Sequence, residues 1–466
     1  MHGCVSRLRS LGQPFEPLHT RKRLDHNTGA TNMSEGAGHY ALRPSDEVVE
    51  RATKVCKAKS SRKGEPAFHM TEQMERLSTP WAIAQARATQ IDANQLPAGV
   101  ILDAAAGSGV QLIALTSGLH RPGLAIELDP EIALMCAANM HAIGETEDLQ
   151  RSMDRVLIGD GEQAEKAISA YWNSLRDGGT RAHPPIAMLH LDPARPPDAQ
   201  RHEIDEMQPA LTPLLKSWAK HLELGPQGPA VLLDLSPRLN EDQQSLVDAV
   251  IETTFLGAPR TWEWLSQGGG RIDRLSVWIG SLSSKNSARC VRMGRKKIMA
   301  SIEGEPRSSV VESMSRPPPF GAYLTIVDPA LVQSGLHEAW VEQAVPESAG
   351  RSWLRVEGRR PLLITTEPLS TDDDIDAFVI ATGEIVQHRL TPPELHTIEL
   401  TAQAAARNGV GKVTLRCSLD PDIHPTLQRR LDKALKEFDG APGFMVDFEL
   451  ERGSDGHTLY IVCKES

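Results

Sequence analysis

The sequence predicts an α/β protein in which a parallel sheet, covered by helices on both faces, is followed by a smaller α+β module. Three observations predict it. Short apolar runs alternate with helical stretches between residues 99 and 283. Four of those runs end at an acidic residue. A charged, proline-containing break at 284–318 then separates this region from a remainder with different patterning. At 466 residues the chain exceeds what one hydrophobic core usually serves, so two folded domains and a tail are expected.

Composition narrows the function classes. Apolar residues make up 40% and charged residues 24%, the balance of a soluble globular protein. The net charge of −11 argues against a chain that coats nucleic acid with its whole surface, but a local basic face stays open. No run of eighteen apolar residues is present, and the basic N-terminus lacks a following apolar segment, so neither a membrane span nor a secretory signal is expected. Cys4, Cys56, Cys136, Cys290, Cys417 and Cys463 are scattered and form no CxxC pair. A reduced, cytoplasmic protein without a metal site is the simplest reading.

Residues 1–65, rich in Ser, Gly, Lys and Arg, are expected to be mostly a disordered basic tail, with a short helix possible near 46–57. The clusters Arg21-Lys22-Arg23 and 57–63 could touch RNA or simply be solvated. A helical cap is expected over 66–98. Residues 71–77 look helical, Ser78-Thr79-Pro80 is a start signal, and Trp81, Ala84, Ala88 and Ile91 share one face of the next helix.

Strands are then expected at 100–104, 124–128, 156–158, 186–191 and 230–235. Helices are expected at 111–118, 131–143, 162–175, 204–221 and 241–255. A final strand pair, 261–266 and 271–280, is joined by Gln267-Gly268-Gly269-Gly270. Residues 284–318 are expected to be a linker, since charged and proline-rich stretches resist packing. In the C-terminal module, 319–466, a helix is expected from Thr391-Pro392-Pro393 to Asn408, where Gly409 stops it. Strand 412–417, helix 426–438 and strands 444–450 and 458–463 are expected to follow.

The candidate site lies at the strand ends. Asp103 closes the first run, before Ala105, Gly107 and Gly109, whose turn lets backbone approach a ligand closely. Such a turn also serves dinucleotides, with a pyrophosphate at the helix N-terminus. An acid at Asp103, however, suits the ammonium of S-adenosylmethionine better than a phosphate. Glu127, ending the second run, can accept ribose hydroxyls, and Asp160, ending the third, can meet the adenine amino group. Each acid alone could be a turn former or a helix start. The fourth run, His190-Leu191-Asp192-Pro193-Ala194-Arg195, favours methyl transfer over nicotinamide chemistry, because Asp-Pro at a carboxyl end resembles the Asp-Pro-Pro signature of nucleic-acid methyltransferases.

With these motifs the chain resembles class I S-adenosylmethionine-dependent methyltransferases that carry a C-terminal THUMP-like domain. The resemblance extends to the Thr-Pro…Arg-Ala pattern of Thr79, Pro80, Arg87 and Ala88, to Asp192-Pro193-Ala194-Arg195, and to Pro319-Phe320-Gly321-Ala322-Tyr323 with Asp328-Pro329-Ala330. It covers about 68–466 and implies a Rossmann-like, seven-stranded catalytic domain and an RNA substrate (tRNA or rRNA). Ala104-Ala105-Ala106 and Pro196 depart from the family's usual motifs, which leaves the acceptor open.

Catalysis is expected to rest on Asp192, Pro193 and Arg195. Arg195 stands where base-amine enzymes place an aromatic, and its guanidinium could stack or bind phosphate. No cysteine lies between Cys136 and Cys290, which disfavours a covalent cysteine route and favours direct transfer to nitrogen or oxygen. A protein or small-molecule acceptor, and a non-catalytic cofactor binder, are the alternatives. Oligomeric state is not legible.

Overall fold

The computed structural model describes residues 39–144, 151–194, 204–307, 316–354, 360–450 and 457–465. The expected alternation forms. Strands β2 (Val100–Asp103), β3 (Gly123–Glu127), β4 (Arg155–Ile158), β5 (Ile186–Leu191) and β7 (Gly228–Leu235) are parallel neighbours in the order β4-β3-β2-β5-β7. The strand pair β8 (Arg260–Ser266) and β9 (Arg274–Gly280) follows, with β9 antiparallel and inserted between β7 and β8.

Alternation along the strands splits the core into two layers. Val100 and Leu102 point toward helices α6 (Ala164–Asp177), α7 (Leu211–Ala219) and α8 (Glu241–Thr254). Ile101 points the other way, toward α3 (Trp81–Thr89), α4 (Val110–Leu119) and α5 (Pro130–Ile143).

Four expectations are corrected. The tail reading of 1–65 fails from residue 39 onward; residues 1–38 lie outside the described ones. Strand β1 (Tyr40–Leu42) pairs antiparallel with the sheet-edge strand β4. The short helix allowed for near 46–57 does form, as α1 (Asp46–Val55); capped by the Ser45 hydroxyl, it buries Val48 and Ala52 in the same layer as α5. A three-residue strand shows no sequence period, and an edge strand's unpaired backbone supplies its bonds.

The linker reading of 284–318 also fails in part. β10 (Ala288–Met293) runs parallel to β8, and β11 (Ile298–Gly304) pairs with β10, extending the sheet by two strands. Their charges misled because they are paired: Arg289 meets Glu263 at 2.8 Å and Glu303 at 3.4 Å. Residues 308–315 of that stretch lie outside the described ones.

Third, the helix expected at 204–221 is a short 3-10 turn (Ile204–Glu206) and a separate α7, because Pro209 and Ala194–Gln208 backbone pairing intervene.

The second module is a seven-stranded sheet in the order β13-β14-β12-β15-β18-β17-β16. Its strands are β12 (Tyr323–Val327), β13 (Arg351–Leu354), β14 (Leu362–Thr365), β15 (Val379–Leu390), β16 (Val410–Leu415), β17 (Ala441–Leu450) and β18 (His457–Glu465). Helices α12 (Ile398–Arg407) and α13 (His424–Leu435) pack on it through Ala402, Leu427 and Leu431. The helix expected from Thr391 begins later, at Ile398. Residues 394–397 form a turn in which the Thr397 hydroxyl bonds Pro392 O and accepts from the Glu394 amide. The two modules share one core, in which Cys290, Ala300 and Ile302 of β10 and β11 join Val327, Leu331, Trp340 and Phe378.

Candidate functional site

Parallel strands deliver their C-terminal residues to one edge, and the connections diverge between β2 and β5, the switch point where open α/β sheets bind ligands. All four acids lie at this edge: Asp103 and Glu127 end β2 and β3, and Asp160 and Asp192 follow β4 and β5.

The loop after β2 is drawn into a cradle. Gly107 and Gly109 have φ of +51° and +78°, and the space over Gly107 is open to 4 Å where a Cβ would stand. Glu127 fixes this loop from the next strand. Its Oε2 accepts the Gly107 amide at 3.0 Å and its Oε1 the Asp129 amide at 3.0 Å. Burial pushes its pKa up, opposed by those amides. A carboxylate has about four acceptor sites, so two amides leave capacity for hydroxyls above the loop. Asp160 Oδ1 accepts the Glu162 amide at 2.9 Å and Oδ2 the Gln163 side-chain amide at 2.9 Å.

Gly161 brings the two loops together, since a Cβ there would stand 2.2 Å from Ala104 O. Gly161→Ala is therefore expected to cost about 1–3 kcal/mol through overpacking. Thermal unfolding measures it, and an unchanged midpoint would show that the contact yields.

Asp103 sits lower than its sequence position suggests. It is 2% exposed. Oδ1 accepts the Ala105 amide at 3.2 Å, and Oδ2 lies 2.8 Å from His190 Nδ1. This begins a buried chain of alternating charge. His190 Nε2 donates to Asp234 Oδ2 at 3.3 Å, and Arg87 grips both Asp234 oxygens at 2.6 Å each. Ser276 donates to Asp234 Oδ1 at 2.7 Å, and Arg87 reaches Gln111 at 3.2 Å. Burial alone would lower the His190 pKa, but the Asp103 and Asp234 carboxylates outweigh it and push it up to about 10. Burial would raise Asp234, yet Arg87 and His190 hold it far below the ordinary carboxylate range. Two cations thus balance two anions beneath the loops.

Asp192 follows β5 just above this chain. Burial, then the Asp234 charge, push its pKa up to about 6, with Arg274, His190 and Arg87 pulling the other way. Pro193 is buried beside it, and Ala194 pairs with Gln208 through both backbone bonds, at 2.8 and 2.9 Å. Arg195 lies outside the described residues.

Sequence reasoning missed Arg87, His190 and Asp234 as a unit, and His39. Three charged residues inside apolar runs (Trp81-Ala-Ile-Ala-Gln-Ala-Arg87, Ile186-Ala-Met-Leu-His190 and Ala230-Val-Leu-Leu-Asp234) were the available signal. His39 Nε2 lies 2.9 Å from Asp160 O and covers Gly159, contacts that no local pattern announces.

No family model matches this chain, and no curated protein matches it. Solved structures do. A protein from Porphyromonas gingivalis W83, assigned as a methyltransferase, is 14% identical and aligns over 90% of this chain and 88% of its own, with a TM-score of 0.53. The O-methyltransferase from Bacillus cereus in complex with SAH is 15% identical over 51% of this chain and 93% of its own, at a TM-score of 0.27. The rRNA methylase from Streptococcus thermophilus is 14% identical over 44% of this chain and 98% of its own, also at 0.27. The first shows that the fold of the described chain, through both sheets, is one already seen in a protein of that assignment.

Proposed function

We propose that this chain is a class I S-adenosylmethionine-dependent methyltransferase. The observation that carries the reading is the sheet itself. A nicotinamide-binding sheet continues in parallel past its fifth strand, whereas here antiparallel β9 is inserted between β7 and β8. The cradle fits the cofactor: open space over Gly107, acceptor capacity on Glu127 for ribose hydroxyls, and Asp160 on the adjoining strand for the adenine amine. Ala105 and Gly109 shape the same loop, and buried Asp103 holds it through the Ala105 amide. When bound, S-adenosylmethionine supplies an electrophilic methyl group on a sulfonium.

Asp192 orients the acceptor atom, accepting its hydrogen bond so that a lone pair faces the methyl, while Pro193 fixes the turn and Arg195 contacts the acceptor's ring or phosphate. Transfer to nitrogen or oxygen then requires alignment more than proton chemistry. The acceptor in this reading is RNA, and the α+β module serves as a THUMP-like RNA-binding domain. Exposed Arg429, Arg430 and Lys433 on α13, and Lys436 at its C-terminal end, support it. A cytoplasmic setting belongs to the same reading; among the described residues no helix is long and apolar enough to cross a membrane.

Calorimetric titration with S-adenosylhomocysteine and with NAD tests the cofactor, and label from the methyl-tritiated cofactor entering RNA rather than protein tests the acceptor. Binding of NAD alone would overturn the proposal. Glu127→Ala is expected to weaken S-adenosylhomocysteine at least about tenfold, having lost the ribose contact and the Gly107 anchor together. Unaltered affinity would remove Glu127 from the site.

A further inference from the structure

A cleft of about 1350 Å³ opens beside α3 and α4, outside the cofactor cradle. Its floor is made of small residues, Ala88 against Gly118 with Ala114 beside them, so the two helices approach closely and leave a trough. Two turns overhang it. One is the tip of a short hairpin closed by Lys59–Phe68 pairing. There the Ser60 hydroxyl bonds Arg62 O at 2.6 Å and Glu65 O at 2.8 Å, and the Glu65 amide bonds Arg62 O. The other is the β10–β11 turn, closed by the Gly294 amide on Lys297 O at 2.8 Å. The first tip carries Arg62-Lys63 and the second Arg295-Lys296-Lys297, all exposed, and of these Arg62, Lys63, Arg295 and Lys296 line the cleft.

None of these four side chains has a hydrogen bond or ion pair with any described residue. Arg292, a fifth cation lining the cleft, is instead committed to the carbonyls of Ala377, Ser266 and Met293. Glu65 is the one acidic lining residue. In a chain of net charge −11, four cations with no side-chain partner among the described residues, held on hydrogen-bonded turns across one trough, form a local positive field, and such a field concentrates a polyanion. Trp81, half-buried against Phe68 at 5.6 Å between ring centroids, lines the cleft and offers a face on which a base can stack.

One of the two turns lies at the edge of the sheet that carries the site. β10 is parallel to β8, both are antiparallel to β9, and β9 is antiparallel to β7, so the β10–β11 turn emerges at the edge that carries Asp103 and Asp192.

We propose that this cleft, between the Arg62-Lys63 and Arg295-Lys296 turns, holds the phosphodiester backbone of a single-stranded RNA segment. The proposal rests on the RNA reading above and adds a principal phosphate contact outside the C-terminal module. On α13, Arg429 and Arg430 already bond Pro425 O, Thr426 and Leu395 O, which lessens their availability.

The test uses the full chain, a fluorescein-labelled mixed-sequence RNA of about 20 nucleotides, and anisotropy over a salt series. The quadruple variant Arg62→Ala/Lys63→Ala/Arg295→Ala/Lys296→Ala should bind at least about tenfold more weakly, with a log–log salt slope shallower by about 3, the yield of four lost contacts on a single strand. Each double variant should lose about half of that slope. S-adenosylhomocysteine affinity, read by calorimetry on the same samples, should stay at the wild-type value and so report intact folding. Wild-type affinity and slope in the quadruple variant, with binding lost instead in Arg429→Ala/Arg430→Ala, would overturn the cleft assignment alone. Absence of RNA binding by the wild-type chain, or equal displacement of RNA by polyglutamate, would overturn the RNA reading with it.

Discussion

Asp234→Ala should lower the unfolding free energy by about 3–5 kcal/mol, because it leaves the Arg87 guanidinium, fully buried, without its counter-charge. The loss falls on a connected unit: Arg87 bonds both Asp234 oxygens, and His190 and Ser276 converge on the same carboxylate. The double variant Arg87→Met/Asp234→Leu should recover part of that stability, since it removes both charges and keeps the volume filled. Chemical denaturation with a linear extrapolation reads both. A single variant within about 1 kcal/mol of wild type would show that water or a rearranged partner compensates the guanidinium.

The same chain has a pH signature. The folded His190 pKa, about 10, lies above its ordinary 6.5, so its contribution is fully present below pH 6.5 and is lost as pH rises through 10. Stability that stayed flat across that alkaline window would mean His190 is neutral in the fold.

Asp192→Asn should reduce methyl transfer about a hundredfold while leaving S-adenosylhomocysteine binding intact, the pattern of a group that aligns the acceptor rather than the cofactor. In wild type the rate should fall on the acid side as Asp192 protonates through about pH 6, where burial and the Asp234 charge have placed it. The protonated carboxyl donates where the carboxylate accepts, so the acid limb reports the form that works. The Asn variant should lack that limb. A rate loss with the limb unchanged would assign the titration to another group; full activity in the variant would remove Asp192 from the reaction.

The α/β alternation was legible because buried parallel strands are short apolar runs and their covering helices are amphipathic, as 186–191 and 164–177 show. The positions of Asp103, Glu127, Asp160 and Asp192 at the strand ends were legible for the same reason. β1, β10 and β11 were not, because edge and charged strands draw stability from pairing with distant segments, as Arg289 does with Glu263 and Glu303.

By itself, then, the sequence determined the order of strands and helices and which acids would reach the ligand edge, since both follow from local periodicity. The tertiary structure alone decided what those acids do. Asp103 turned inward to His190, Arg87 and Asp234 met across 147 positions of chain, and two basic turns more than 230 positions apart came to face one trough. Charges act through space and burial rather than along the chain, so their partners appear only when the chain is folded.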